Sequence, residues 1–436
     1  MELNKPTHEV NRAGQEELLD VLQKDGFKYF IDKVNPHNGL IADSTWDNDT
    51  CSIAAVGFAL ACYPVGVEHG WVSRQDAVER TLITLRHFRS SPQGMEQDAA
   101  GYQGFYYHFL GLQTGQRTWK CELSTIDTTY LLCGMLTAAQ YFDRDISGER
   151  EINRLVHELF ERVNWQWAQN GELTVTHGWK PESGFLENRW RGYDEALMLY
   201  ILALGAPTYP LTHDSYAAYT STYRWETHSG YEILYAGPLF IHHFSHVWID
   251  FRDLQDDIMR ARRLDYFENS RRATYIHRQH AIHNPSGFDG YGENAWGITA
   301  SEGPVRGTKP VVKDGHTFYG YLARGVPGPD DGTLSPWTTI TALPFAPEIA
   351  LPAIEHFHRT YPQLDGPYGM KCSLNPTFRE NAAANTGWFS NDYYGVNEGP
   401  VVLMIENYRS GLIWRLLGSS SYIQAGLKQA GFRSNR

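Results

Sequence analysis

Apolar residues recur at helical spacing from one end of this chain to the other, and that repetition limits its fold more than any other feature. Residues 14–31 carry Leu18, Leu19, Val21, Leu22, Phe27, Tyr29 and Phe30 at near-helical intervals. Similar patterns predict helices near 50–64, 74–90, 124–142, 148–167, 193–204, 253–281, 346–360, 400–417 and 420–431. Between them run long segments dense in Gly, Pro, Asn and aromatics, at 91–122, 169–192, 205–238 and 282–345. Long connections without periodicity of their own usually carry function. About ten to twelve helices with such loops predict an all-α toroid, in which inner helices line a central pit. Short strands such as Thr174–His177 then form small β-elements on the loop face. No linker or compositional break divides residues 1–436, so a single domain is expected.

Composition narrows the function classes. Charged residues are 20% and aromatics 14%, with 13 Trp and 26 Tyr among 436 residues. That many rings suits a site that stacks sugars, because each ring offers a flat apolar face with a polar rim. A formal net charge of −12 argues against nucleic acid and against an acidic polymer, leaving a neutral glucan or oligosaccharide as the expected partner. Cys51, Cys62, Cys121, Cys133 and Cys372 are an odd, widely spaced set, read as buried free thiols. No run of about 18 apolar residues is present to suggest a membrane span. The opening residues Met1–Pro6 show no charged-then-apolar leader. That fits a cytoplasmic protein, or a periplasmic or secreted one whose leader has been removed. No cofactor or metal is implied. His242, His243 and His246 include an i, i+4 pair but lack a third ligand, and Asp330-Asp331-Gly332-Thr333 lacks the alternating oxygens of a calcium loop.

Near the C-terminus, Val401–Ile405 passes directly into Glu406, Asn407, Tyr408 and Arg409. Buried charge needs a partner or a wet cavity. A helix entering at Pro400 therefore either staples itself to a neighbour through these residues or walls a carbohydrate cleft. The segment Gly395–Trp414 resembles the C-terminal signature of the bacterial glucoamylase-like family, whose characterised members are endo-β-1,2-glucanases. Further matches are Trp248-Ile249-Asp250-Phe251-Arg252, Asp265–Thr274, Trp296–Pro304, Trp190–Ala196 and Ser124–Asp127. The resemblance implies an (α/α)6 toroid and a glycoside hydrolase cleaving β-1,2-glucan, endo-acting and anomer-inverting. An exo-acting or transglycosylating enzyme, or a non-catalytic glycan-binding relative, are the alternatives.

Glycosidic cleavage usually needs two carboxyls flanking the bond. Glu195 opens a nearly all-apolar helix after Trp190, Arg191 and Tyr193; from the residues alone it either compensates the helix dipole beside Asp194 or acts as an acid. The resemblance implies the acid. Asp127, three residues after Ser124, reads as part of a capping box, and the resemblance brings it to the cleft as a second carboxylate. Relatives carry Ile-Asp-Gln-Gly-Pro where this chain has Val396-Asn397-Glu398-Gly399-Pro400, so Glu398 or Asp392 are alternative bases. Expected sugar contacts are Trp46, Trp190, Arg191, Tyr193, Arg252, Trp296, Glu302, Trp388 and Tyr408, with Trp296 and Trp388 facing the pit.

Overall fold

The computed structural model describes residues 7–434 apart from 97 and 380–386. Its helices are, in chain order, α1 (Thr7–Asp32), α2 (Ile53–Glu68), α3 (Arg74–Ser90), α4 (Thr125–Tyr141), α5 (Ser147–Glu161), α6 (Trp165–Ala168), α7 (Leu197–Leu204) and α8 (His213–Thr220). They continue with α9 (Leu239–Trp248), α10 (Asp257–Arg262), α11 (Tyr266–His283), α12 (Pro336–Thr341), α13 (Pro347–Thr360), α14 (Gly395–Arg409), α15 (Leu412–Gly418) and α16 (Ser421–Gln429).

Burial sorts these helices into two shells. Every residue of α7 is buried, as is α2 from Ile53 to Gly66; a helix apolar on all sides has no face for water and must be interior. Following contacts from α2 leads to α4, α7, α9, α12, α14 and back to α2, a closed ring of six. The helices that keep a solvent-facing side lie outside: α1 against α14, α3 and α5 against α2 and α4, α16 on α7, α11 on α9 and α13 on α12. At one end α15 packs across α4, α9 and α14, where Trp414 Nε1 donates to the His246 carbonyl at 2.6 Å and Asn407 Nδ2 to that of Val247 at 2.9 Å.

The other end of the ring carries the β-elements. An antiparallel sheet runs in the order Gly101–Tyr102, Phe105–Tyr107, Leu123–Ser124, Gly178–Lys180 and Gly184–Phe185. Thr50–Ser52 pairs with Phe109–Gly111. A long arm leaves at Ala300–Ser301 and returns at Leu322–Ala323. Its root is clamped by Arg324, fully buried, whose Nε and Nη2 reach both oxygens of Asp331 at 2.7 and 2.8 Å while Nη1 donates to the Ser301 carbonyl. Asp330 is likewise engaged, by His280 and Tyr291, so this Asp pair holds the loops together.

Several expectations need correction. The segment 253–281 is broken: Arg263 adopts a left-handed conformation, ending α10, and Asp265 caps α11 by accepting from the Glu268 N–H. The inner helices α9 and α12 are short and lie in stretches without a long periodic signal. Helix α14 starts five residues before Pro400, which sits inside it and has no N–H to offer the Val396 carbonyl. Its charged end does not wall a cleft. Glu406 is bonded by His69 at 2.7 Å and Gln23 at 3.0 Å, and Arg409 reaches Gln23, Glu16 and Asp20 of α1, so these residues staple helices together. His242, His243, His246 and His277 are buried in the α9/α11 layer; burial keeps them neutral, pushing His242 down to about 4 and His246 and His277 to about 3. All five cysteines are buried free thiols.

Glu398 also turns away from the ring interior. It is buried between α14 and α1, where a Cβ on Gly26 would stand 3.4 Å from its Oε2. Burial, with the nearby Asp25 charge, raises its carboxyl well above the usual range. A raised folded pKa means that the native state keeps a proton the unfolded chain loses. This stability is complete below the unfolded value of about 4.3 and drains as pH rises towards the folded one. Glu398→Gln, an isostere of the neutral carboxyl, is therefore expected to raise the melting temperature at pH 7, with the gain fading as pH approaches 4. Equal gains at both pH values would disprove the protonation account. The α2/α4 crossing supplies a second test: a Cβ on Gly134 would meet the Gly57 carbonyl oxygen at 1.9 Å. Gly134→Ala should cost at least about 1–3 kcal/mol in denaturant unfolding, the usual range for overpacking, because backbone rather than a movable side chain blocks the methyl.

Candidate active site

All six ring helices aim their N-terminal ends at one cavity. Ala54 is in the first turn of α2, Asp127 and Tyr130 lie in the first turns of α4, and Glu195 stands two residues before α7. Phe240 and Phe244 come from α9, Trp337 from α12, and Val396 and Asn397 from α14. His108, from the strand region, and Ala300 and Tyr321, from the two ends of the arm, complete the lining of about 180 Å³. Helix N-termini present unpaired N–H groups and positive dipole ends, so the cavity floor favours carboxylates and developing negative charge.

Glu195 is the acidic residue most altered by this setting. Its neighbour Asp194 turns the other way and accepts from the Ala196 N–H at 2.9 Å and from Tyr219 at 3.2 Å, bracing the turn that leads into α7. Burial still lifts Asp194 to about 7. Glu195 is thereby left to the cavity, where Tyr130 donates to its Oε2 at 3.2 Å. Burial against the aromatic wall, and then repulsion from Asp127 and Asp194, push its carboxyl up to about 8. Near neutral pH it is predominantly the protonated acid.

Asp127 sits on the same cavity in a different environment. Ser124 caps α4 by accepting from the Asp127 N–H at 3.1 Å, and its hydroxyl donates to Asp127 Oδ2. The capping box and the cavity carboxylate are thus one residue serving both purposes. His108 Nε2 stands 3.5 Å from Asp127 Oδ2, while Nδ1 is bonded to Glu122 Oε1 at 2.9 Å. Burial pulls the imidazole down, but Asp127 and Glu122 outweigh it and raise His108 to about 9; the His108 bond in turn lowers Glu122 to about 2. Asp43 lies close by and is lifted by burial to about 6.

The remaining predicted site residues scatter. Asp392 accepts from Thr45 Oγ1 at 2.9 Å, and Glu302 accepts from Ser390 Oγ at 2.6 Å. These two carboxyls and Trp46, 72% exposed, belong to loops that meet beside the cavity rather than within its lining. Trp388 is half-buried in a short strand paired with Leu374–Asn375. Trp296 is 0% exposed, so it is a core residue and not a sugar platform. Trp190 is buried too; it stacks on His177 at 3.7 Å and donates to Thr125 Oγ1, bracing the start of α4. Tyr193 packs among Tyr223, Tyr266 and His242, and Arg191 is exposed. Arg252 pairs with Asp250 and lies over Trp414, at the opposite end of the ring. Tyr408 is about 17 Å along α14 from Asn397 at 1.5 Å per residue, too far to reach the cavity. Sequence reasoning missed His108, Tyr130, Tyr321, Trp337, Phe240, Phe244 and Asp43. Only Tyr130 had a usable signal, standing three residues after Asp127 on one helix face.

Among the described residues no cluster of three or more His, Cys, Asp or Glu is arranged to hold a metal ion. No helix among them is long and apolar enough to cross a membrane.

Known proteins resemble this arrangement over nearly the whole chain. The Glycoamylase family model, described as "Putative glucoamylase", matches residues 187–421. A crystal structure under the same description from Bacteroides uniformis is 30% identical with a TM-score of 0.85, covering 97% of this chain and 98% of that one. The solved structure of an endo-β-1,2-glucanase from Chitinophaga pinensis, with sophorotriose and glucose, has a TM-score of 0.84 at 26% identity, covering 96% and 99%. The exo β-1,2-glucooligosaccharide sophorohydrolase (non-reducing end) of Parabacteroides distasonis is 27% identical over 451 residues, or 95% of this chain. The chain spans 58% of that relative's length. With the family model matching more than half of its residues and a 30% identical relative along almost all of it, this chain belongs to the Glycoamylase family.

Proposed function

We propose that the chain is a glycoside hydrolase of β-1,2-linked glucan, built as an (α/α)6 toroid with its catalytic cavity at the ring's N-terminal face. The closed order of six inner helices supports the architecture. The observation that carries the function is the pair of cavity carboxyls with divergent environments: Glu195 raised to about 8 against an aromatic wall, and Asp127 bonded to Ser124 beside a cationic His108. Two carboxyls in such different surroundings on one cavity suit a division of acid from base work. The β-1,2-linkage is supported by relatives whose names specify it.

In this reading the glycosidic oxygen approaches Glu195, which gives it a proton as the bond to the anomeric carbon breaks. Asp127 takes a proton from a water whose oxygen bonds that carbon from the other face. Positive charge developing on the sugar ring falls beside the Asp127 carboxylate, and Tyr130 keeps the Glu195 carboxyl oriented. Tyr321, 71% exposed on the arm, is suited to stack on a glucosyl unit entering from the mouth.

A chain-end mode of attack is a second reading, favoured by the cavity's size. About 180 Å³ under the arm is less than the roughly 300–1,000 Å³ usual for ligand pockets. Chromatography of early products from linear β-1,2-glucan separates the two: a ladder of oligosaccharides marks internal cleavage, and a single small product marks chain-end release. No product of either kind would refute the hydrolase assignment.

Glu195→Gln should lower kcat at least about 100-fold with the fold intact, the usual worth of a general acid. In the wild type, kcat/KM should fall as pH rises through about 8, because Glu195 must carry its proton. Proton NMR of the first reducing ends should show the α-anomer, since Asp127 acting on water inverts the centre; β-anomer first would make Asp127 a nucleophile instead.

A further inference from the structure

A third ionisable side chain reaches the cavity, and the acid–base pair leaves it without a task. His108 leaves the strand Phe105–Tyr107 with its ring face on Phe109, 3.9 Å between centroids and 15° from parallel. Its backbone N–H donates to the Glu122 carbonyl at 2.9 Å, and its Nδ1 meets the Glu122 carboxylate at 2.9 Å. Backbone and side chain of one residue thus grip both ends of the histidine. The other ring nitrogen, Nε2, stands 3.5 Å from Asp127 Oδ2 at the cavity wall.

From this line of contacts, and resting on the hydrolase reading above, we infer that His108, oriented by Glu122, is a positioning residue that fixes the Asp127 carboxylate for its work in the cavity. Asp127 is held from two sides, by the Ser124 hydroxyl at the start of its own helix and by the imidazole from the sheet. Both contacts fall on the same oxygen, Oδ2. Together they fix where that oxygen sits. His108 keeps both ring protons throughout, directing one to Glu122 and the other to Asp127, so no proton leaves it during the reaction.

The surrounding charges fit a lasting imidazolium. His108 faces Asp127, Glu122 and Asp43, all acidic, and Lys180 beside Glu122 is the nearby cation. Burial opposes the charge, but the acids prevail and its titration lies near 9. An ion pair that merely tied the sheet to α4 would not need Nε2 at the cavity wall, and its loss would register in stability instead of in the chemical step.

Two variants and two readouts separate these roles. Nitrogen-15 NMR of histidine-labelled free enzyme, with the His108 signals identified by their loss in His108→Gln, should show a doubly protonated ring at pH 7 that titrates near 9. In Glu122→Gln that titration should fall by at least about one pH unit, the usual effect of losing an adjacent opposite charge. On linear β-1,2-glucan, His108→Gln should lower kcat about 100-fold, the scale expected for a misplaced catalytic group, with KM changed less than about two-fold. Glu122→Gln should fall between that variant and the wild type. A neutral His108 ring at pH 7, or a His108→Gln enzyme with unchanged kcat, would overturn the inference. A wild-type enzyme inert on this glucan but with a cationic His108 would sink the substrate assignment alone, because the ring's protonation is read without substrate. If His108→Gln does not fold, Glu122→Gln supplies the kinetic result, and the ring signals whose titration it shifts identify His108.

Discussion

The contact on which the rest of this protein depends is a crossing of two backbones. Gly57 of α2 and Gly134 of α4 lie so close that a methyl on either would collide with main-chain atoms of the other helix, at 2.2 Å from the Tyr130 carbonyl oxygen in one case and 1.9 Å from that of Gly57 in the other. With no side chains between them, the two helices sit at the shortest spacing available and have no freedom to slide. The crossing fixes the rotation of α4, and rotation decides which of its residues look inward. Tyr130 supplies the carbonyl packed on Gly57, and its ring lies nearly parallel to those of Phe58 and Trp248, which also stack on each other, while its hydroxyl meets Glu195. Asp127, one turn earlier, is carried to the cavity by the same rotation.

Ring closure turns this local constraint into an electrostatic one. Six N-termini directed at one space make it favourable for anions, yet Phe240, Phe244 and Trp337 make the same space poor in water. The two influences oppose each other, and the outcome differs residue by residue. At the start of α7 the divergence of Asp194 from Glu195 settles it. Asp194 accepts from the Ala196 N–H in the turn ahead of the helix, outside the cavity lining. Glu195 keeps only a tyrosine hydroxyl, and burial prevails. Asp127 occupies the N-terminal turn of its own helix and has Ser124 and His108 as partners. Two carboxyls on one cavity thus acquire different characters from how many N–H, O–H and cationic groups reach each one.

What could be read beforehand follows from whether the signal was local. The long helices α2, α3, α4, α5 and α13 were legible because their burial repeats over several turns, and Ser124 with Asp127 announced the start of α4. Helices α9 and α12, of ten and six residues, form two sides of the ring but are too short for a period to emerge. They are helical because neighbours enclose them. Glu195 was legible through its placement before an unbroken apolar run. His108 and Asp43 were not, because what distinguishes them is proximity to residues far along the chain. Trp296 misled for a related reason: a glycine beside it, Gly297 at φ +107°, marks a tight passage of backbone past Thr338, and such passages occur in cores as readily as at clefts. Tyr408 and Arg409 misled because polar residues in an apolar helix need partners, and a neighbouring helix supplied them as well as a cavity would.

Helix α14 shows how narrow the geometry of such a site is. Asn397 and Glu398 are successive residues, and successive positions on an α-helix point about 100° apart. Asn397 faces the cavity with its amide directed to Cys372, while Glu398 is buried against α1. A carboxylate moved one residue along a helix is therefore lost to the site, however near it remains in sequence. The cavity's charge comes instead from one sector, where α4, the turn before α7 and His108 meet; α9 and α12 contribute rings and α14 an uncharged amide. The division of polarity around the ring, set by which helix turns which residue inward, is what gives a cavity built from six similar helix ends a direction.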